Sequence, residues 1–496
     1  MREVMIMSKN LSFNIFGGYG KGLFPQFDTQ ETVNLYVETE KAQQNKIAYY
    51  PTDGLVLAHR FSKSGRGRAL HQFADKLVAV CGAEIYLIDE VLSENDLGTI
   101  NTDSGLVDIS SSDKEMLIVD GANGWLYNRE TGVFRLQTQP AFPKLPRSTV
   151  FFSDRFVAGY GETNEINYSE INNGLLWYGD AEFKLPFGEK VIGLATILGQ
   201  SKLYVFGKYI TQIWYDAGAP PPLPFRKELT DIPFGCVAPR SLAKDTGLGF
   251  IGWLTQSKQG VNSVAITDGG KINLVSSPAI EREFENYSKV DDATGFIYKN
   301  SLGHIFYQIN FPTENKSWQF RINSELPYRD RWVRLTYKAN ERDLAEKHTY
   351  YNGKHYVIDY SDNALYERSI NYYSADGIEI NRNITTPTFR LPNNDNFICS
   401  FLKLRINVGE SLDGFKETDA FHGDTKPFIY LRVSHDGGLT YGKTILADIG
   451  KIGDYLKEVK FYNLGYGNQI TFKIDYWNKT KFGIFDAFIG IVLGDA

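Results

Sequence analysis

Cysteine, methionine and histidine are scarce in this chain of 496 residues, and so are long apolar runs; each shortage removes a class of protein. The three cysteines, Cys81, Cys236 and Cys399, are odd in number and far apart, which argues against a disulfide framework and for synthesis in a reducing compartment. They are expected to be small buried apolar residues. No segment reaches the roughly 18 apolar residues of a membrane-spanning helix, so no membrane insertion is expected. No region is basic either. Residues 376–496 hold 14 Lys and Arg against 15 Asp and Glu, a net of −1, which leaves −5 of the chain's total of −6 for the first 375 residues. Nucleic-acid binding, whether sequence-specific or not, is therefore not expected.

The seven histidines, at 59, 71, 304, 348, 355, 422 and 435, form no His-x-x-x-His pair and no Cys-His group of ligand spacing. His304 reads as a packed or hydrogen-bonded core residue. "GGYGKG" (Gly17–Gly22) lacks the Lys-Ser/Thr ending and the strand-to-helix setting of a phosphate loop, and reads as a turn. No catalytic, cofactor-binding or metal-ligating residue is assigned, and no cofactor.

What the chain does hold is 30 Tyr, 33 Phe and 46 Gly beside 42% hydrophobic and 23% charged residues, a globular composition that favours pleated strands and tight turns. A unit of apolar strand, polar turn and second strand recurs, as in "DKLVAVCGAEIYLID" from Asp75 and "KEMLIVDGANGWLYN" from Lys114. Anchored on Leu77, Leu117, Phe156, Leu203, Phe250, Phe306 and Tyr356, the units are 40, 39, 47, 47, 56 and 50 residues apart. That period fits propeller blades, each unable to bury both faces alone and so obliged to stack around an axis. About seven blades are expected over residues 61–373, with six or eight compatible with an incomplete terminal unit. The alternative is a set of β-meanders in two sandwiches.

Two short helices are expected between blades, "AIEREFENY" (Ala279–Tyr287) and "NERDLAEKH" (Asn340–His348). Residues 1–60, punctuated by Gly and Pro, read as an extended arm with closing strands for the ring. From residue 374 to 496 the strands alternate more cleanly, as in "SFLKLRINV" and "QITFKIDYW", which predicts a C-terminal β-sandwich. The fold class is all-β throughout.

"SHDGGLTY" (Ser434–Tyr441) matches a hairpin pattern, Ser-x-Asp-x-Gly-x-Thr-aromatic, known from the blades of sialidases. The residues also have a purely structural reading: Asp436 accepts backbone N–H bonds across the turn, Gly437 or Gly438 takes positive φ, and Tyr441 packs below. The one full copy falls in the sandwich region, "ITDGGKI" (Ile266–Ile272) is a fragment of it, and no local constellation supplies the arginine cluster or Tyr–Glu pair of a sialidase. A carbohydrate-active propeller is the alternative function. The Pro220–Pro224 run reads as a stiff connection between strands.

"QETVNLYVE" (Gln30–Glu38) and "YYPTDGL" (Tyr49–Leu55) resemble the opening of the tail hub, or packaged-DNA stabilisation, proteins of short-tailed bacteriophages. "TQIWYDAG" (Thr211–Gly218), "PFGCVAP" (Pro233–Pro239), Ala279–Pro312 and "RWVRL" (Arg331–Leu335) extend the resemblance in order along the chain. It implies a propeller with a C-terminal β-domain that sits below the portal and adaptor proteins, helps close the DNA exit channel, and contacts tail fibre, spike or needle proteins. It further implies a homo-oligomeric ring, a hexamer, in the tail of the virion, with no catalytic residues.

Overall fold

The computed structural model describes residues 8–24, 27–40, 46–186, 188–244, 247–338, 340–408, 428–450 and 456–493. Among them the structure is β throughout, apart from a helix at Pro278–Glu285, a single turn at Tyr328–Arg331 and a 3-10 turn at Pro239–Ser241.

Seven sheets form the propeller. Blade 1 spans 67–99, blade 2 108–136, blade 3 146–184, blade 4 193–227, blade 5 251–274, blade 6 294–335 and blade 7 345–369. Six of these have four strands; blade 5 has three, its innermost strand being reduced to a single bridge between Ala243 and Gly252. The ring is closed by the chain's own N-terminal side, because Gly54–Arg60 pairs antiparallel with Ala364–Ser369 and completes blade 7. Only glycine fits at position 54, where a Cβ would stand 2.2 Å from the Tyr372 carbonyl oxygen.

The energetic reason for the ring lies at its seams. An apolar cluster occupies each of the seven, from Val80, Ile85 and Ile109 between blades 1 and 2 to Ala79, Tyr356 and Ile358 between blades 7 and 1. Strands covered on both faces read as continuous apolar runs, and Lys76–Cys81 and Glu115–Val119 are buried almost end to end. Leu77, Leu117, Phe156, Leu203, Phe306 and Tyr356 are all buried on the second strand of their blades. Phe250 departs from the expected repeat. It is half-buried just ahead of its strand, Ile251–Gln256, and Trp253, fully enclosed, takes the inner place.

The sandwich draws on both ends of the chain. One sheet runs Leu35–Glu40, Lys46–Pro51, Gly483–Leu493, Phe397–Asn407, Lys457–Tyr462, with Ser8–Ser12 paired to Gly483–Leu493. The other runs Glu31–Val33, Arg382–Thr385, Gln469–Tyr476, Phe428–Ser434, Ile445–Asp448. This second sheet is continuous with blade 6, since Glu31–Val33 pairs parallel with Trp332–Leu335 on one side and antiparallel with Arg382–Thr385 on the other. Leu402, Leu404 and Ile406 from one sheet meet Ile470, Phe472 and Ile474 from the other in the sandwich core.

Two expectations change. In place of an arm, residues 8–60 are divided among the sandwich, the strand that joins it to blade 6, and the strand that closes blade 7. "NERDLAEKH" is not a helix: Ala345–Tyr351 is the inner strand of blade 7, paired with Lys354–Asp359. Its charges mimic a helical face, but Glu346 is buried as an ion-pair partner of Arg240 and Arg342, so tertiary contacts override local propensity. "AIEREFENY" does form a helix, capped by the Ser277 hydroxyl on the Ile280 N–H.

Candidate functional site

Two places stand out beyond the propeller's repeat: the joint between propeller and sandwich, and the outer face of the sandwich. At the joint the chain leaves blade 6 beside Asn34, whose φ of 54° turns the backbone between two strands. Its Nδ2 donates to the Thr336 carbonyl at 3.1 Å and the Asn381 carbonyl at 2.7 Å, and its Oδ1 accepts the Thr336 N–H at 2.9 Å. One side chain thus ties the N-terminal segment, the exit of blade 6 and the entry to the sandwich.

Next to it, Glu38 on a sandwich strand meets His304 Nε2 at 2.5 Å and Arg321 Nη1 at 3.0 Å, both from blade 6. Burial alone would raise this carboxyl, but the hydrogen bond from His304 and the charge of Arg321 outweigh it and hold it down to about 2. Arg321 also donates to the Val37 carbonyl at 3.0 Å, and His304 Nδ1 sits 2.9 Å from the Tyr36 hydroxyl. His304 is thus a buried, hydrogen-bonded residue, although it stands just ahead of the strand Ile305–Phe311 and not within it. On the far side of blade 6, Tyr19 packs edge-on against Trp318 and its hydroxyl donates to Glu283 at 3.0 Å. The glycines of "GGYGKG" serve this close passage: a Cβ on Gly18 would lie 2.4 Å from the Trp332 carbonyl oxygen.

The outer face of the sandwich divides in two. One half is charged, with Arg405 reaching Glu458 at 3.2 Å and Asp486 at 3.4 Å. The other half is apolar and open: Ile398 is paired directly with Tyr466, and Phe401 with Tyr462. Ile398 is 45% exposed, Tyr462 59% and Tyr466 60%. Aromatics at this exposure on a sheet whose inner side is a packed core mark a surface that gains by being covered.

The hairpin at Ser434–Tyr441 lies in the sandwich and holds itself together. Asp436 accepts from the Leu439 and Thr440 N–H groups, both at 3.0 Å, and from the Ser434 hydroxyl at 2.6 Å, while Gly437 and Gly438 have φ of 75° and 85°. These bonds hold the Asp436 carboxyl far below the usual carboxylate range, the Ser434 hydroxyl foremost. In blade 5 the fragment copy behaves alike, with Asp268 accepting from the Gly270 N–H at 3.0 Å.

The arginines of the propeller's central end are committed to protein groups. Arg68 donates to the carbonyls of Gly82, Thr102 and Ser104, and Arg147 to Glu162. Among the described residues no group of three or more His, Cys, Asp or Glu is arranged to hold a metal ion. His422 lies outside the described residues; His348 and His355 face each other across a hairpin at 3.0 Å. Cys81, Cys236 and Cys399 are free and buried, and burial pushes each thiol up, so none is poised as a thiolate.

Residues 14–369 match the family model described as Bacteriophage P22 Gp10, beta-propeller, and residues 382–491 the model described as Bacteriophage P22 Gp10, beta-sandwich. The chain belongs to this family. It is accordingly a structural protein of the phage tail and a component of the virion. The two matched ranges meet near the residues where blade 7 ends and the sandwich resumes. No curated protein matches the chain.

Among solved structures, the extracellular domain of a one component system from B. thetaiotaomicron is 10% identical, with a TM-score of 0.42, over 64% of this chain and 40% of that one. A catalytically inactive virginiamycin B lyase from Staphylococcus aureus with quinupristin is 10% identical, with a TM-score of 0.41, over 64% and 99%. The Pan2 WD40 domain of Neurospora crassa is 11% identical, with a TM-score of 0.38, over 61% and 89%. The chain spans only 40% of the first of these, and likeness at these TM-scores carries no argument.

Sequence reasoning assigned no site residue, and it missed Asn34, Glu38 and Arg321 as a joint. "QETVNLYVE" was visible as a motif, but its partners lie 266 to 347 positions away, from His304 against Glu38 to Asn381 against Asn34. The apolar half of the sandwich face gives no sequence signal either, because Ile398, Tyr462 and Tyr466 read like any strand residues until their neighbours are known.

Proposed function

We propose that this tail protein is the hub that joins the portal–adaptor assembly to the distal tail, helps close the DNA exit channel and so retains packaged DNA. It acts as a homo-oligomeric ring of six copies, with tail fibre, spike or needle proteins as distal partners. Its work is done through surfaces rather than by catalysis.

The observation that carries this reading is the construction of the joint. A ten-stranded sheet runs without interruption from blade 6 into the sandwich, so a load applied to one domain is passed to the other through backbone hydrogen bonds. A connector between a pressurised head and a tail needs that stiffness. The exposed apolar half of the sandwich face, Ile398, Tyr462 and Tyr466, supplies the contact between copies in the ring. The described strands of the N-terminal segment are paired within the subunit, with Ser8–Ser12 on Gly483–Leu493 and Leu35–Glu40 on Lys46–Pro51, so the contact is assigned to the sandwich face.

The test is to make Ile398→Asp and Tyr462→Asp and to image particles assembled with each protein. Both side chains are exposed, so the subunit should fold and melt as the wild type does. Incorporation into the tail should fall, and particles should lose DNA. Normal incorporation with full DNA retention removes this face from the mechanism, and absence of the wild-type protein from a ring below the portal removes the hub.

A further inference from the structure

The inner strands of the propeller enclose an axial cavity of about 300 Å³, lined by residues of blades 1, 2, 3, 4, 6 and 7 and by 239–244. Arg240, Lys244 and Lys347 line it together with one carboxylate, Asp108, and Glu346 lies behind Arg240. Glu346 is shared by Arg240 on one oxygen and Arg342 on the other. Asp108 takes Lys244, the Ser148 hydroxyl at 2.8 Å and the Thr149 N–H at 2.9 Å on one oxygen, and the Ile109 N–H at 3.1 Å on the other.

Lys347 is left over. Its ammonium donates to the carbonyls of Arg240 and Gly295, each at 2.9 Å, and meets no carboxylate. An ammonium has three N–H donors, so one remains for whatever occupies the cavity. Lys347 is only half-exposed, its nearest acid, Asp108, is already taken by Lys244, and Lys244 and Arg240 beside it add to the positive potential. The other titratable groups facing the cavity do not offset it. Burial pushes His71 down to about 4 and His348 well below its ordinary value, so both are neutral at pH 7, and Arg147 is paired with Glu162 outside the cavity.

We propose that the axial cavity is an anion site, in which Lys347, with Lys244 and Arg240 beside it, binds one small tetrahedral oxyanion of the phosphate or sulfate class. The free N–H of Lys347 points the anion, and neighbouring hydroxyls of the inner strands supply weaker donors. The bound charge offsets the positive charge of Lys347, Lys244 and Arg240, so the site acts as a plug that stiffens the ring from within. Burial, and then the charge of Arg240, pull the empty Lys347 down to about 7, so anion binding near neutral pH is accompanied by proton uptake.

The probe is inorganic sulfate, which does not itself titrate near neutrality, added to the full-length protein at fixed ionic strength and followed by calorimetry and melting temperature. Wild type is expected to bind saturably, with an apparent affinity about tenfold weaker at pH 8 than at pH 6, because only the protonated fraction is competent. Lys347→Met should lose about tenfold or more in affinity at pH 6 while melting no lower than wild type in the absence of sulfate. Lys347→Arg should keep the binding and lose its pH dependence, since a guanidinium stays protonated across this range. That variant carries the test if Lys347→Met does not fold. No saturable binding in wild type, equal binding by wild type and Lys347→Met, or an unchanged pH dependence in Lys347→Arg would each overturn the proposal.

Discussion

The propeller and the sandwich are built from similar antiparallel strands, yet they recruit them from the chain in opposite ways. Blades 1 to 4 each take four consecutive strands, so almost every pairing is between neighbours in sequence. The sandwich interleaves strands from 8–51 with strands from 382–493, so its sheets close loops of several hundred residues. Local pairing repeats as a pattern that can be read along a chain, whereas pairing between distant segments leaves no such trace. The difference also sets which part depends on which. From the N-terminal side the propeller takes one strand, Gly54–Arg60, with Tyr19 and Tyr36 packed into its seams, whereas the sandwich takes four strands.

The sharpest way to break this comparison is to delete residues 1–51. The remaining chain should keep a propeller that melts cooperatively, while residues 382–493 lose hydrogen-exchange protection and become protease-sensitive. Protection of 382–493 in the truncated protein would show that the sandwich does not depend on the N-terminal strands. Next in size is Trp332→Ala. Trp332 is fully buried, packs with its ring tilted against Phe320 at 5.0 Å, and donates from Nε1 to the Val275 carbonyl at 2.8 Å, so its loss should cost about 3–5 kcal/mol. Because Trp332 begins the strand that runs into the sandwich sheet, the destabilisation should be read in both domains by exchange, whereas Trp253→Ala in blade 5 should be felt in the propeller alone.

A smaller effect tests the joint by pH. The Glu38 carboxyl is held down to about 2 from an ordinary value near 4.5, so its ion pairs stabilise the fold above about pH 4.5 and that contribution fades as pH falls toward 2. Glu38→Gln should therefore be less stable than wild type by about 1–2 kcal/mol at pH 7, a modest value because the carboxylate keeps some solvent, and the two urea midpoints should converge between pH 4.5 and 2. A gap that stays constant with pH would mean that the pair is not what couples the domains. Smallest of the four, Asp436→Ala should cost about 1 kcal/mol through lost hairpin bonds, read as a lower melting temperature, with assembly into particles unchanged. A glycosidase activity that vanished in this variant at unchanged melting temperature would reinstate the carbohydrate-active reading.

Much of the propeller was legible because a blade is a local unit: Leu77, Leu117, Phe156 and Leu203 recur at nearly even spacing and fall on equivalent strands. Phe250 misled because blade 5 has lost most of its inner strand, which moved the apolar anchor to Trp253 without changing the run of aromatic residues around it. "NERDLAEKH" misled for a different reason. Its charges stand at helical intervals, but Glu346 is buried in ion pairs and Lys347 faces the axial cavity, and no spacing rule distinguishes such charges from ones facing solvent.

By itself the sequence determined that this protein is all-β, that a ring of repeated sheets comes before a sandwich, and that the glycines and aspartates of its turns hold hairpins such as Ser434–Tyr441. Those properties rest on interactions within about 50 residues, where composition and period carry the information. Only the tertiary structure decided that the first strands belong to the last domain, that Asn34 and Glu38 lock propeller to sandwich, and that Lys347 faces an axial cavity beside Lys244 and Arg240. Each of these depends on which distant segments are brought together, and the hydrophobic pattern that makes a strand pair says nothing about which partner it will find.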